Sequence, residues 1–208
     1  YSTRTIFPDV RSDHWARGYI NLAAAGKTKI IAGTDQGVFE PDSPITYGQA
    51  VTILIRILGY TDEDTGMLWP DGFIALAEKI GLADGLSGLG GSDPITRGQA
   101  ATLFCNLLTT EQKEGGLYAA ELGTIQQNAV ILALDVETAD GEDGIRAVTG
   151  TATGVYAVAN GVIPQSILGR KGDLLTNSRG EILTFLPDRS QQKTVVVRES
   201  QAGWLIDS

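Results

Sequence analysis

A seven-residue sequence that occurs twice constrains the fold of this chain more than any other feature. The copies read PITYGQA at residues 44–50 and PITRGQA at residues 94–100, and they differ only at Tyr47 and Arg97. Two such copies in a chain of 208 residues indicate an internal repeat. A period of about fifty residues is typical of stacked units that bury their apolar faces against each other.

Each copy predicts the start of a helix. Thr46 and Thr96 are expected to act as N-caps, and Gln49 and Gln99, three residues later, complete a capping box in each copy. Apolar residues then recur at the spacing of a buried helix face. They are Ala50, Val51, Ile53, Leu54, Ile57 and Leu58 after the first start, and Ala100, Ala101, Leu103, Phe104, Leu107 and Leu108 after the second. Gly59 is expected to end the first of these helices.

A second, preceding helix is predicted in each repeat. Trp69, Phe73, Ile74, Leu76 and Ala77 repeat the pattern of Trp15, Tyr19, Ile20, Leu22 and Ala23. The spacing places Trp15, Tyr19, Ile20 and Ala23 along one side of the first helix, with Asp13 as its expected cap. We therefore predict two helix-loop-helix repeats, at residues 1–60 and 61–110, the second with an acidic, turn-rich start.

The sequence pattern changes after residue 108. A polar linker at residues 109–116 is followed by short strand-like runs, which predict a β-rich module at residues 117–208. The predicted strands cover residues 129–134, 145–148, 154–158, 174–175, 181–186 and 194–198. Turns are expected at residues 140–144 and 177–180. The predicted class is α+β, with an all-α repeat region followed by a small antiparallel β-barrel or sandwich.

Composition excludes several classes of function. The net charge is −9 and no basic cluster occurs, which argues against nucleic acid or an anionic membrane as the main partner. No apolar run is long enough to span a bilayer. The single cysteine, Cys105, lies in the second apolar run, and we interpret it as a small buried hydrophobe. The abrupt start at Tyr1 favours a processed or trimmed chain.

No catalytic or metal-binding constellation is evident. With one histidine, His14, and no second thiol, the chain cannot assemble a hydrolytic triad or a zinc site, so no cofactor and no metal are expected. The acidic runs at residues 62–64 and 140–143 lack the ligand spacing of a calcium loop, which favours solvated turns. A pair of glycosidase carboxylates meets only in space, and nothing in the sequence singles one out.

Many dispersed positions of the first half resemble one known family. They are Phe7, Asp9, Val10, Trp15, Ala16, Ile20, Leu22, Ile30, Ile31, Gly33, Gly37, Phe39, Pro41, Ile45, Thr46, Gln49, Ala50, Leu58 and Gly59. In this order they resemble the S-layer homology (SLH) module of bacterial cell-surface proteins. The resemblance implies modules of two helices, usually grouped in threes, that hold a protein non-covalently on cell-wall glycan. Only two copies are visible here.

The resemblance also implies a set of ligand residues. Arg97 matches the arginine of the family's Ile-Thr-Arg motif, which helps to hold acidic glycan groups, whereas Tyr47 takes that place in the first copy. Asp9 matches the aspartate of the family's Phe-x-Asp motif. Tryptophan rings could stack on a sugar. The candidate glycan-binding residues are therefore Asp9, Trp15, Thr46, Tyr47, Trp69, Thr96 and Arg97.

Structural interpretations compete with these assignments. The two tryptophans share an apolar side with core positions, so packing between helices is the favoured interpretation for both. Arg97 could be solvated or paired with Asp71 or Asp93. Asp9 could serve only as a turn or cap residue.

The predicted function is that of a non-catalytic, extracellular protein of the cell wall or S-layer. Its SLH repeats would anchor it to an acidic secondary cell-wall polysaccharide, and the β-rich module would face outward or act as a spacer. Self-association is an expected way to complete a third SLH position. The alternatives are a surface assembly module that kept the SLH fold without glycan binding, and a wall-remodelling enzyme.

Overall fold

The structure is a computed structural model that describes residues 5–25, 30–34, 36–66, 68–150, 152–159 and 165–188. The chain divides into two compact units, Tyr1–Glu121 and Leu122–Ser208. Among the described residues, the first unit contains the α-helices and the second contains the sheet. The class is therefore α+β, as the sequence predicts.

Four α-helices are described in the first unit, two in each predicted repeat. They are α1 (Arg17–Ala25), α2 (Tyr47–Ile57), α3 (Asp71–Lys79) and α4 (Arg97–Leu108), and a 3₁₀ helix follows at Tyr118–Glu121. Since α1 begins at Arg17, the expected cap Asp13 is wrong, and Asp13 instead pairs with Arg11 at 2.9 Å. No helix in the described ranges is long and apolar enough to cross a bilayer.

Both capping boxes are confirmed. The Thr46 hydroxyl accepts the backbone N–H of Gln49 at 3.3 Å, and the Thr96 hydroxyl accepts that of Gln99 at 3.2 Å. Each glutamine side chain accepts the threonine N–H in return, at 2.9 Å and 2.7 Å. Gly59 follows the last turn of α2 with φ of 89°, a left-handed conformation that glycine adopts without strain.

The main core of the first unit lies between the two repeats, where α2 packs against α3 and α4. Its buried residues are Tyr47, Ala50, Val51, Leu54, Ile55, Leu58, Phe73, Ala77, Leu82, Ala83, Leu103 and Leu107. The buried face predicted for α4 is partly wrong, because Ala101, Phe104 and Cys105 are exposed. One side of α4 faces this core, and no described residue covers the other.

A smaller cluster surrounds α1. Phe7, Val10 and Ile20 are buried together, and the ring of Phe39 lies 5.4 Å from that of Phe7. Of the apolar side predicted for this helix, only Ile20 is buried, whereas Trp15 and Tyr19 are exposed. The first helix is therefore only half covered.

The second unit contains a five-stranded antiparallel sheet. Its strands are β1 (Thr124–Glu137), β2 (Asp143–Thr149), β3 (Ala152–Ala157), β4 (Lys171–Thr176) and β5 (Ile182–Pro187), in the order β3-β2-β1-β4-β5. The long strand β1 lies in the middle, with Val130 opposite Val148 of β2 and Gln126 opposite Leu174 of β4. The buried residues on the sheet include Ile131, Ile145, Leu174 and Ile182.

The predicted closed barrel is not supported. Among the described residues, the two edge strands approach each other only where Val158, just after β3, forms an isolated bridge with Ile182 of β5, next to a 2.9 Å hydrogen bond from Ala159 N to the Ile182 carbonyl. A closed barrel needs a continuous ladder between its first and last strands. The described strands form one open sheet, without the second sheet of a sandwich. The strand predicted at residues 194–198 lies outside the described residues.

Candidate functional site

The two motif copies lie side by side at one end of the helical unit. The backbone N–H of Ile95 donates to the carbonyl of Ile45 at 3.1 Å, and Thr46 forms an antiparallel bridge with Pro94. This short pairing brings the starts of α2 and α4 together. Four of the candidate glycan-binding residues therefore meet here, namely Thr46, Tyr47, Thr96 and Arg97.

The start of α2 is closed by the second repeat. The backbone N–H of Tyr47 donates to the carbonyl of Asp93 at 2.8 Å, and that of Gly48 donates to the carbonyl of Gly91 at 2.9 Å. The Tyr47 side chain is only 2% exposed, and its burial, with a smaller contribution from Glu78, raises the pKa of the phenol. Neither the hydroxyl of Tyr47 nor these N–H groups are available to a glycan in this structure.

The start of α4 is open. Arg97 and Gly98 are exposed, and their backbone N–H groups have no acceptor among the described residues. The first turn carries no acidic residue. In the described part of the chain Arg97 forms no ion pair, so the expected alternatives Asp71 and Asp93 are not its partners. Unpaired N–H groups and the helix dipole attract an anion, and the guanidinium adds a fixed positive charge.

Close packing explains why the two starts differ. A Cβ atom on Gly48 would lie 2.6 Å from Cβ of Pro70 and 2.9 Å from the carbonyl oxygen of Gly91, so only glycine permits this approach. At Gly98, the matching position, the nearest atom outside the helix's own backbone would be the Thr96 hydroxyl at 3.9 Å. Sequence reasoning missed this contact, although a glycine at one position of both copies is the signal that could have indicated it.

The packing interpretation of the tryptophans is wrong. Trp15 is 82% exposed, with the ring of His14 stacked 5.9 Å away, and Trp69 is 58% exposed. The indole N–H of Trp69 donates to the hydroxyl of Thr52 at 3.1 Å, which fixes the ring beside α2. Both rings present apolar surface to solvent.

Asp9 has a structural role. Its carboxylate accepts the backbone N–H of Phe39 at 2.9 Å and that of Glu40 at 2.6 Å. Partial desolvation alone would raise the pKa of Asp9, but these backbone hydrogen bonds outweigh it and lower the pKa below its usual value. The structure thus places Asp9 in the loop that holds Phe39 against the α1 cluster, and no described contact joins it to the start of α4.

The acidic run at residues 62–64 forms ion pairs. Asp64 accepts from the Lys113 ammonium at 2.8 Å and from the backbone N–H of Thr61 at 2.7 Å, and these bonds lower the pKa of Asp64 to about 2. Asp62 pairs with Arg56 at 3.1 Å. In the described residues no three histidine, cysteine or acidic side chains converge as a metal site would require.

Comparison with known proteins agrees with this architecture. A family model described as the S-layer homology domain matches residues 6–51. The chain is 39% identical over 103 residues to a cell surface protein of Thermoanaerobacter kivui, which covers 50% of this chain and 13% of that protein. It is 33% identical over 100 residues to a surface layer protein of Brevibacillus choshinensis, covering 48% of this chain and 8% of that protein.

A third similarity extends further along the chain. An S-layer protein of Bacillus anthracis is 31% identical over 130 residues, which is 58% of this chain and 16% of that protein. The chain therefore matches only a minor part of the length of each of these relatives. Two helix pairs joined at the capped motif copies, together with these similarities, are typical of bacterial cell-surface proteins. Residues 6–51 form an S-layer homology domain, and the similarities to surface and S-layer proteins point to a location outside the cell, at the cell wall or S-layer.

Proposed function

We propose that the helical unit anchors a non-catalytic surface protein to an acidic polysaccharide of the cell wall, and that the start of α4 holds an acidic group of that polymer. Arg97 would pair with a carboxylate or a ketal-linked pyruvate, while the backbone N–H groups of Arg97 and Gly98 donate to its remaining oxygens. Charged hydrogen bonds of this kind are stronger than neutral ones. The repeats would comprise residues 1–60 and 61–110, and the β-rich module residues 117–208.

The contrast between the two helix starts carries this proposal. Both have a Thr-Gln capping box, but the first-turn N–H groups of α2 donate to Asp93 and Gly91, whereas those of α4 have no described acceptor. The position taken by the buried Tyr47 in α2 is taken by the exposed Arg97 in α4. We infer that one motif copy binds the polymer and that the other serves packing.

The exposed tryptophans support sugar binding beside this anion site. Trp69 precedes Pro70, which packs against Gly48 at the start of α2, so its ring lies near the end where the motif copies meet. A pyranose can stack its C–H face on such an indole. Trp15 offers a second exposed ring, which we propose as a more distant contact on a long polymer.

Binding to purified cell wall tests the anchoring proposal. We expect the chain to sediment with intact wall and to stay in solution once the acidic polymer has been stripped off. Arg97→Gln should weaken polymer binding about tenfold or more, because a charged hydrogen bond contributes about 1.5–3 kcal/mol. Arg146→Gln, an equal change of charge at an exposed residue of β2, is the matched control and should bind as the wild type. Equal sedimentation with intact and stripped wall would contradict the proposal.

The second candidate function is surface assembly without glycan binding. The buried Tyr47 favours it, because one motif copy offers no ligand group at its start. Calorimetry with the purified polymer separates the two functions. A heat of binding to the polymer that is present for the wild type and lost in Arg97→Gln supports anchoring. The absence of any heat of binding for the wild type supports assembly.

A further inference from the structure

The two motif helices have matching faces that are covered unequally. Counted from the motif, Val51, Leu54 and Ile55 of α2 correspond to Ala101, Phe104 and Cys105 of α4. All three α2 residues are buried in the core between the repeats. All three α4 residues are exposed, Phe104 by 59%. We call Gly98, Ala101, Phe104 and Cys105 the open α4 face.

The covered helix shows what kind of element fits such a face. In α2 the cover is α3, whose Phe73 is 2% exposed and lies 5.5 Å from the Arg56 guanidinium, with Pro70 packed against Gly48. At Gly98 the corresponding space is empty among the described residues. The open α4 face therefore fits a helix of the α3 type, with an aromatic residue at the Phe73 position.

The first helix of this chain is such an element and is itself uncovered. Tyr19 occupies the position of Phe73, and Leu22 occupies that of Leu76. Tyr19 is 74% exposed and Leu22 is 75% exposed, whereas Leu76 packs against the core. We call Tyr19 and Leu22 of α1, together with Trp15 in the turn before it, the open α1 face.

We propose that the open α1 face of one copy of this chain docks on the open α4 face of a second copy, repeating between chains the α2–α3 contact within the chain. The contact is head-to-tail, so each pair leaves one face of each kind uncovered. Such contacts extend into chains or close into rings as concentration rises. This assembly does not require polymer, but the open α4 face shares Gly98 with the proposed anion site.

Complementation between two variants tests the proposal. Phe104→Glu removes the open α4 face and Tyr19→Glu removes the open α1 face, and both side chains are exposed, so the fold should persist. In analytical ultracentrifugation from micromolar to millimolar concentration, we expect the wild type to associate and each variant to remain monomeric. An equimolar mixture of the two should form a dimer and nothing larger, because only one productive pair of faces remains.

Two control variants should leave the association unchanged. Leu168→Glu changes a similarly exposed leucine of the second unit, and Arg146→Gln changes an exposed arginine of β2. Both should associate as the wild type does. In a Leu22→Cys variant, a short bis-maleimide should join the thiol introduced into one copy to Cys105 of another. A wild type that stays monomeric throughout, a face variant that associates alone, or a mixture that stays monomeric would overturn the proposal.

Discussion

Phe73→Ala is expected to lower the free energy of unfolding of the helical unit by about 3–5 kcal/mol. The Phe73 ring is 2% exposed at the centre of the core between the repeats, where it packs with residues of α2 and lies beside the Arg56 guanidinium. Truncation removes its burial and leaves a cavity that neighbouring helices fill only partly. Chemical denaturation followed by the helical circular dichroism signal measures this loss.

Tyr19→Ala is the matched control. Tyr19 holds the same place in α1 but is 74% exposed, so its truncation should change the stability of dilute protein by less than about 0.5 kcal/mol. Losses of similar size in the two variants would mean that α1 and α3 are covered alike, which would contradict the unequal burial of the two rings.

Gly48→Ala should destabilise the helical unit by about 1–3 kcal/mol, because the added methyl group would collide with Pro70 and with the carbonyl of Gly91. The collision would also push residues 91–93 away from the first-turn N–H groups of α2. Thermal and chemical denaturation of dilute protein measure the effect.

Gly98→Ala is expected to change the stability of the helical unit in the opposite direction. Gly98 lies in the first turn of α4, and outside the helix's own backbone only the Thr96 hydroxyl, at 3.9 Å, lies near the added Cβ, so alanine should stabilise the helix by about 0.4–1 kcal/mol. The two glycines occupy one position of the repeated motif, and the predicted effects differ in sign. Destabilisation by both substitutions would show that the start of α4 is also covered.

Local features of this fold could be predicted from the sequence. The capping boxes of Thr46 and Thr96 depend on residues three positions apart, so the sequence contains all their information. The hairpin turn after Asn177 could be predicted for the same reason. The backbone N–H of Asn177 donates to the carbonyl of Glu181 at 2.9 Å, so the turn depends only on nearby residues.

Coverage of a helix face could not be predicted in this way. Leu54 and Phe104 occupy one position of equivalent helices, and the apolar spacing predicts both as buried, yet only Leu54 has a described neighbour that excludes water. Closure of the sheet could not be predicted from the sequence pattern either. Whether β3 and β5 pair depends on the twist and tilt of every strand between them, which alternation of apolar residues does not specify.

The candidate site combines one feature that could be predicted from the sequence with one that could not. The motif position of Arg97 could be identified from its sequence resemblance to a known module. That Tyr47 is buried while Arg97 is exposed follows from the loop at residues 91–93, which contacts one helix start and not the other. A repeated motif therefore predicts equivalent helices and does not predict equivalent ligand sites.

In the proposed function, α4 offers an open, positively charged start to an anionic wall polymer while the equivalent start of α2 is closed. Titrating the isotope-labelled chain with purified acidic wall polymer, and following backbone amide resonances by NMR, tests it most directly. We expect the amides of Arg97 and Gly98 to shift progressively and those of Tyr47 and Gly48 to remain in place. Equal shifts at both helix starts, or shifts confined to residues away from Arg97, would contradict the claim.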